Sequence, residues 1–152
     1  MTMPRTAPTG RDRAHAAVRA YALRHRLDPA AFRSDGRMML DVDGKCRVMV
    51  QPAADNRIAL TTRLVNLDTL PREAREPVLL RLATLATGTL REHAPGLCVD
   101  EEEQALLLQA QLPATTDAEQ LEAQLAQFVN VWAFWRHACL QETGRIEPSG
   151  RR

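Results

Sequence analysis

Aromatic residues make up only 4% of this chain, with three Phe, two Trp and one Tyr, and its seven glycines never gather into a loop. Without a glycine-rich loop there is no cradle for a phosphate, and Gly88 sits alone in a helical pattern. The three cysteines, Cys46, Cys98 and Cys139, are odd in number and lack metal-ligand spacing. They read as reduced thiols, mostly in the core. No His-Glu-x-x-His occurs, and His15, His25, His93 and His137 are scattered one per helix face or end. His137 and Cys139, two apart on a helix, point in different directions and cannot share a metal. Carboxylates crowd only at Glu101, Glu102 and Glu103. Water screens them there, and the run lacks the alternating ligands and glycine of a calcium loop. No catalysis, cofactor or metal is expected.

No apolar run approaches the ~20 residues that span a bilayer, so no membrane partner is expected. The first ten residues hold Arg5 but no apolar core of a secretory signal, so the protein is expected to stay in the cytoplasm. What is present is the composition of one soluble domain, 152 residues that are 45% hydrophobic and 26% charged. A chain of this size buries roughly 68–70% of its unfolded surface and needs no staples.

The middle of the chain reads as three consecutive strands. Met38-Met39-Leu40-Asp41-Val42 runs into Asp43-Gly44, a strong hairpin signal because both central residues of a type I′ turn need φ > 0. Cys46, Val48 and Val50 then alternate with Arg47, Met49 and Gln51, the period of a ribbon with two unlike faces. Residues 52–56 are turn material. Ile58, Leu60, Thr62 and Leu64 continue the meander as a third strand. Further on, Leu97-Cys98-Val99-Asp100 and residues 105–112 read as two strands joined by the acidic turn, with Pro113 as the stop.

Helices flank these strands. The first is expected over residues 11–26, where Ala14, Ala17, Val18, Tyr21, Ala22 and His25 fall three and four apart. Asp28-Pro29 ends it, and Ala30, Ala31 and Phe32 make a short apolar link. The second opens at Pro71 and runs to about His93, with its regular part starting near Pro77. Val78, Leu79, Leu80, Leu82, Leu85, Ala86 and Leu90 make it apolar around much of its circumference. Such a helix lies in a large core or at a subunit interface, and a chain this short favours the interface. The last helix is capped by Thr116 or Asp117, with Glu119 and Gln120 following as in a capping box. Leu121, Leu125, Phe128, Trp132, Trp135 and Cys139 step along one face to cover the sheet. Residues 1–10 are expected to form a disordered arm, residues 11–142 the single folded domain, and residues 143–152 a flexible tail.

The net charge of +1 hides an asymmetry. Residues 1–37 carry eight arginines against Asp12, Asp28 and Asp35, while residues 92–135 carry eight acidic residues and no Arg or Lys. One function this permits is nucleic-acid binding through Arg5, Arg11, Arg13, Arg19, Arg24 and Arg26. Only Tyr21 and Phe32 interleave with them and no nucleic-acid motif is present, so a solvated face is the default.

The expected fold is thus α+β, in the order α-β-β-β-α-β-β-α, with a twisted antiparallel five-stranded sheet and helices packed on it. In this order Leu27-Asp28-Pro29, residues 36–50, Leu79-Leu80-Arg81-Leu82-Ala83, residues 97–100, residues 105–113 and residues 117–135 with Phe128 and Trp132 resemble the class I type III secretion chaperones, the Tir-chaperone family. The near-neutral charge departs from a family that is usually acidic, and Ala86-Thr87-Gly88 stands where an Asn is often found. The resemblance implies a bacterial cytoplasmic homodimer that holds the N-terminal segment of a secreted effector extended and ready for export. It implies neither catalysis nor a cofactor, and admits the secretion ATPase as a further partner. A regulator on the same fold, binding another secretion component, is the second reading. By this analogy the effector groove takes Tyr21, Leu23, Leu27 and Phe32 from the first helix and link, with Met39, Val48, Val50, Ile58 and Leu60 from the sheet. Periodicity separates two sheet faces without saying which is open. The dimer contact takes Val78, Leu82, Leu85 and Leu90.

Overall fold

A hairpin whose two faces differ sets the layout. The computed structural model describes residues 3 and 6–145. Of the expected arm and tail, residues 1, 2, 4, 5 and 146–152 lie outside the described residues. Five strands, β1 (Met38–Val42), β2 (Cys46–Pro52), β3 (Ile58–Asn66), β4 (Gly96–Asp100) and β5 (Ala105–Leu112), form an antiparallel sheet in the order β1-β2-β3-β5-β4. The helices are α1 (Gly10–Arg13), α2 (Ala16–Arg24), α3 (Arg72–Thr89) and α4 (Ala118–Gly144). The α+β class and the order of elements are as expected, except that the first helix is two.

The chain divides into two compact units, residues 1–60 with 111–126, and residues 61–110 with 127–152. In the first, the expected single helix breaks at Ala14, whose ψ of 154° is extended. His15 then caps α2. Its Nδ1 accepts from the Ala17 backbone N–H at 3.0 Å, so Nε2 carries the proton and donates to the Ala114 carbonyl at 2.9 Å. The apolar spacing continues through the break, which is why the pattern reads as one helix. Ahead of it, the Asp12 carboxylate accepts from the Thr9 N–H and hydroxyl, each at 2.8 Å. These bonds, backbone first, hold its pKa below the ordinary value.

Two glycines let the backbone of α1 lie against the turn that precedes β1. A Cβ on Gly10 would stand 1.8 Å from the Arg33 carbonyl oxygen, and one on Gly36 would stand 2.9 Å from the Arg13 carbonyl carbon. Gly36 also has φ +88°, a conformation that side chains disfavour. Arg13 Nη1 donates to the Ser34 carbonyl at 3.2 Å across the same junction.

In the second unit α3 starts at Arg72, ahead of Pro77, and ends at Thr89 instead of continuing to His93. Pro77 lacks only one donor early in the helix, so the turns before it persist. Val78 and Leu82 are buried, whereas Leu80, Leu85 and Leu90 are exposed. The acidic turn is tied back by the Leu67 N–H donating to the Gln104 carbonyl at 2.7 Å and by the Arg63–Glu103 ion pair. Back in the first unit, α4 opens on a capping box in which Asp117 and Gln120 exchange side-chain to backbone bonds of 2.8 and 2.9 Å. The helix runs through Thr143 and Gly144, where a frayed ending was expected. All six stripe residues, Leu121 through Cys139, are buried.

The glycines give a test of the first unit. Gly36→Ala must relieve both the positive φ and the contact with α1, and is expected to cost about 1–3 kcal/mol in chemical denaturation. Gly88→Ala, within α3 with nothing inside 4 Å of the new Cβ, is expected to gain roughly 0.5–1 kcal/mol.

Candidate functional site

The register of the β1–β2 hairpin decides which residues a ligand can reach. Asp43 (φ 54°) and Gly44 (φ 64°) both take the left-handed conformation expected of them, and the Lys45 N–H donates to the Val42 carbonyl at 3.1 Å. Yet Val42 pairs with Cys46, so Lys45 is a third loop residue. A two-residue loop would have put Met39 opposite Val48. With the extra residue, Met38 faces Val50 and Leu40 faces Val48, all buried, while Met39 pairs with Met49 on the other face.

The expected groove residues therefore separate. Val48, Val50, Ile58 and Leu60 are 0% exposed and belong to the core. A ligand meeting the folded chain does not touch them. Met39, Tyr21, Leu27 and Phe32 are half-buried, and Leu23 is exposed. Met49, which the alternation of β2 alone could not assign to either face, joins Met39. Their thioether side chains fit ligands of varied shape. Tyr21 stacks on His25 with ring centroids 4.2 Å apart, and Glu122 holds Arg24 and His25, each at 3.3 Å. Burial, with the Glu122 charge, pushes the Tyr21 pKa up, so its hydroxyl remains a hydrogen-bond donor.

β1 lies at one end of the sheet order. Phe32 bridges to Met38 at the start of the strand. Beyond that bridge, among the described residues, no strand pairs with the outer edge of residues 39–42. An exposed row of backbone donors and acceptors is a template for an added strand. Beside half-buried apolar side chains it can take an extended peptide, using main-chain bonds for affinity and the side chains for choice.

The second unit holds an apolar groove of about 470 Å³ between α3 and β4, lined by Leu79, Ala86, Leu90, Cys98, Val99 and Trp135 among others. His93 and Phe134 stack at 5.0 Å nearby. Of the four residues expected at a dimer contact, Val78 and Leu82 are each only 1% exposed and pack inside their own chain, so they cannot meet a second copy. Leu85 and Leu90 remain available at 39% and 72% exposed, together with Leu80 at 60%. Leu80 was overlooked because a helix apolar all round has no face that periodicity singles out. Burial, with the Asp100 charge second, pushes the Cys98 thiol up, and burial alone takes Cys139 to about 11. None of the three cysteines forms a disulfide, and among the described residues no three metal-ligating side chains group together. No helix there is long and apolar enough to cross a membrane.

The pattern of the Tir chaperone protein (CesT) family matches residues 17–136. The chain belongs to this family. Its fold matches solved structures. A chain of the ExsC–ExsE complex matches with 24% identity and a TM-score of 0.60 over 78% of this chain and 86% of that one. The HopA1–SchA chaperone–effector complex matches with 18% identity and a TM-score of 0.58, covering 78% and 88%. The Yersinia pestis type III secretion chaperone SycH, solved with a stable fragment of YscM2, matches with 16% identity and a TM-score of 0.55, covering 80% and 98%. No curated protein matches the sequence at a significant level.

The Cys139 thiol gives a pH test of this unit. Its folded pKa lies above the ordinary 9.0, so its contribution is fully present below pH 9 and is lost as pH rises toward about 11. Denaturation midpoints are expected to fall across that window, and Cys139→Ala is expected to flatten the fall.

Proposed function

We propose that this protein is a cytoplasmic type III secretion chaperone of bacteria that binds an N-terminal segment of a secreted effector and keeps it extended for export. One observation carries this reading: the unpaired edge of β1 runs beside Phe32, Met39 and Met49, half-buried side chains that a bound strand would finish covering. The chaperone–effector complex among the similar structures supports it. Binding is the whole of the activity. Ordering a disordered segment costs at least a few kcal/mol, so the segment must wrap a large surface to be held tightly. Tyr21, Leu23, Leu27, Phe32, Met39 and Met49 are its contacts, and the secretion ATPase is a further partner once the complex is loaded.

Affinity capture of the full chain from its own bacterium tests this. A secreted protein recovered in stoichiometric amount, and retained through its N-terminal region when truncated, is the expected result. Recovery of cytosolic regulators alone, or of nucleic acid alone, would contradict it.

The protein acts as a homodimer through exposed leucines of α3 and its C-terminal end: Leu90 lines the mouth of the α3–β4 groove, while Leu80 and Leu85 stand on other sides of the helix. Exposed leucines of this kind are a usual mark of an interface. Leu85→Asp leaves the single chain folded, because Leu85 is already partly in water, and puts an unpaired charge in the contact. Light scattering is expected to show a folded monomer. A folded dimer would remove α3 from the interface. Leu82→Asp, by contrast, buries the charge within the chain and is expected to unfold it.

A further inference from the structure

The basic end of the chain is not dispersed by folding. The two glycine contacts bring the backbones of α1 and the turn at residues 33–36 together at Arg33 and Arg13, with Arg11 and Arg37 flanking the same junction in the chain. The Arg33 N–H donates to the Arg37 carbonyl at 2.8 Å, which closes the turn. Arg19 reaches back into the same clasp, with Nη1 on the Asp12 and Ala14 carbonyls at 3.1 and 3.3 Å. Five arginines therefore stand at one place, against two carboxylates.

Both carboxylates are already engaged. Asp12 accepts from Thr9 in its capping arrangement. Asp35 accepts from the Arg37 N–H and from Arg37 Nε, each at 3.1 Å. Among the described residues, Arg11, Arg13, Arg19 and Arg33 form no salt bridge, and Arg11 and Arg33 donate no side-chain hydrogen bond. Such a surplus repels itself, and a partner's negative charge relieves it.

The clasp leads directly into β1. Phe32 and Met38 bridge across its mouth, and the unpaired edge begins at the next residue. We propose that this arginine clasp is a charge-selecting subsite, taking acidic side chains of the segment that lies along the outer edge of β1. The inference rests on the peptide-binding reading above and names the class of segment it serves: an apolar, strand-forming stretch with Asp or Glu at the end that overlies the clasp. A nucleic acid is the weaker fit. Single-stranded chains are held by successive aromatic platforms beside the basic groove, whereas here Phe32 alone stands at the clasp's mouth, half-buried, and Tyr21 already stacks on His25.

A random peptide library displayed on phage, selected on the full chain and on the Arg11→Glu/Arg33→Glu variant, tests this. Neither side chain holds the clasp together, and a thermal melt checks that the variant stays folded. Peptides from the unaltered chain are expected to combine alternating apolar residues with an acidic cluster at one end. The variant is expected to keep the apolar preference and lose the acidic one. A synthetic copy of a selected peptide is expected to bind it about tenfold more weakly, with a shallower dependence on salt. Apolar peptides without acidic enrichment, or the same enrichment on both proteins, would overturn the subsite while leaving peptide binding intact. Failure to enrich any peptide would overturn both. Binding of a mixed-sequence single-stranded RNA that the double substitution abolishes would reassign the clasp to nucleic acid.

Discussion

One extra residue in a turn organises the binding surface. Lys45 lengthens the β1–β2 loop from two residues to three, and because side chains alternate with a strict period of two, that residue decides which half of the hairpin is core. Met38, Leu40, Val48 and Val50 go inward together, and Met39 and Met49 outward together. Had the loop closed at Asp43-Gly44, the apolar set of one strand would have faced the polar set of the other. With Val48 and Cys46 kept in the core, Met39 and Asp41 would turn inward in place of Met38 and Leu40, burying a carboxylate.

The architecture was largely legible in the residues. The Asp43-Gly44 signal, the alternation in β2 and β3 and the stripe from Leu121 to Cys139 each name an element that folding preserves, because burial of those side chains is what makes the element stable. The break at Ala14 and His15 was not legible, since an apolar spacing survives a change of helix and a histidine cap has no distinctive pattern. Gly10 and Gly36 looked like ordinary loop residues. Only the close approach of two backbones shows why neither position accommodates a side chain.

The binding residues were harder to read than the fold, for a physical reason. A chain that binds an apolar guest uses the same residue types on its open surface as in its core, so Val48 and Met39 cannot be told apart by type. Four of the nine residues expected in the groove are buried in the core, and so are Val78 and Leu82 of the expected dimer contact. What sets the proposed binding residues apart is incomplete burial: Phe32, Met39 and Met49 near the β1 edge, and Leu80, Leu85 and Leu90 on α3 and its C-terminal end. The charge asymmetry gains meaning by the same route, since the turn before β1 concentrates in one clasp the arginines that the sequence spreads over residues 11–37.

The central claim is that the outer edge of β1 receives an extended segment. Hydrogen exchange of the backbone amides, compared between the free chain and its complex with the secreted protein it captures, tests that claim most directly. The account predicts slowed exchange at the outward-facing amides of residues 39–42, with β4 and α3 unchanged. Slowing confined to α3 or β4, with β1 exchanging as in the free chain, would contradict it.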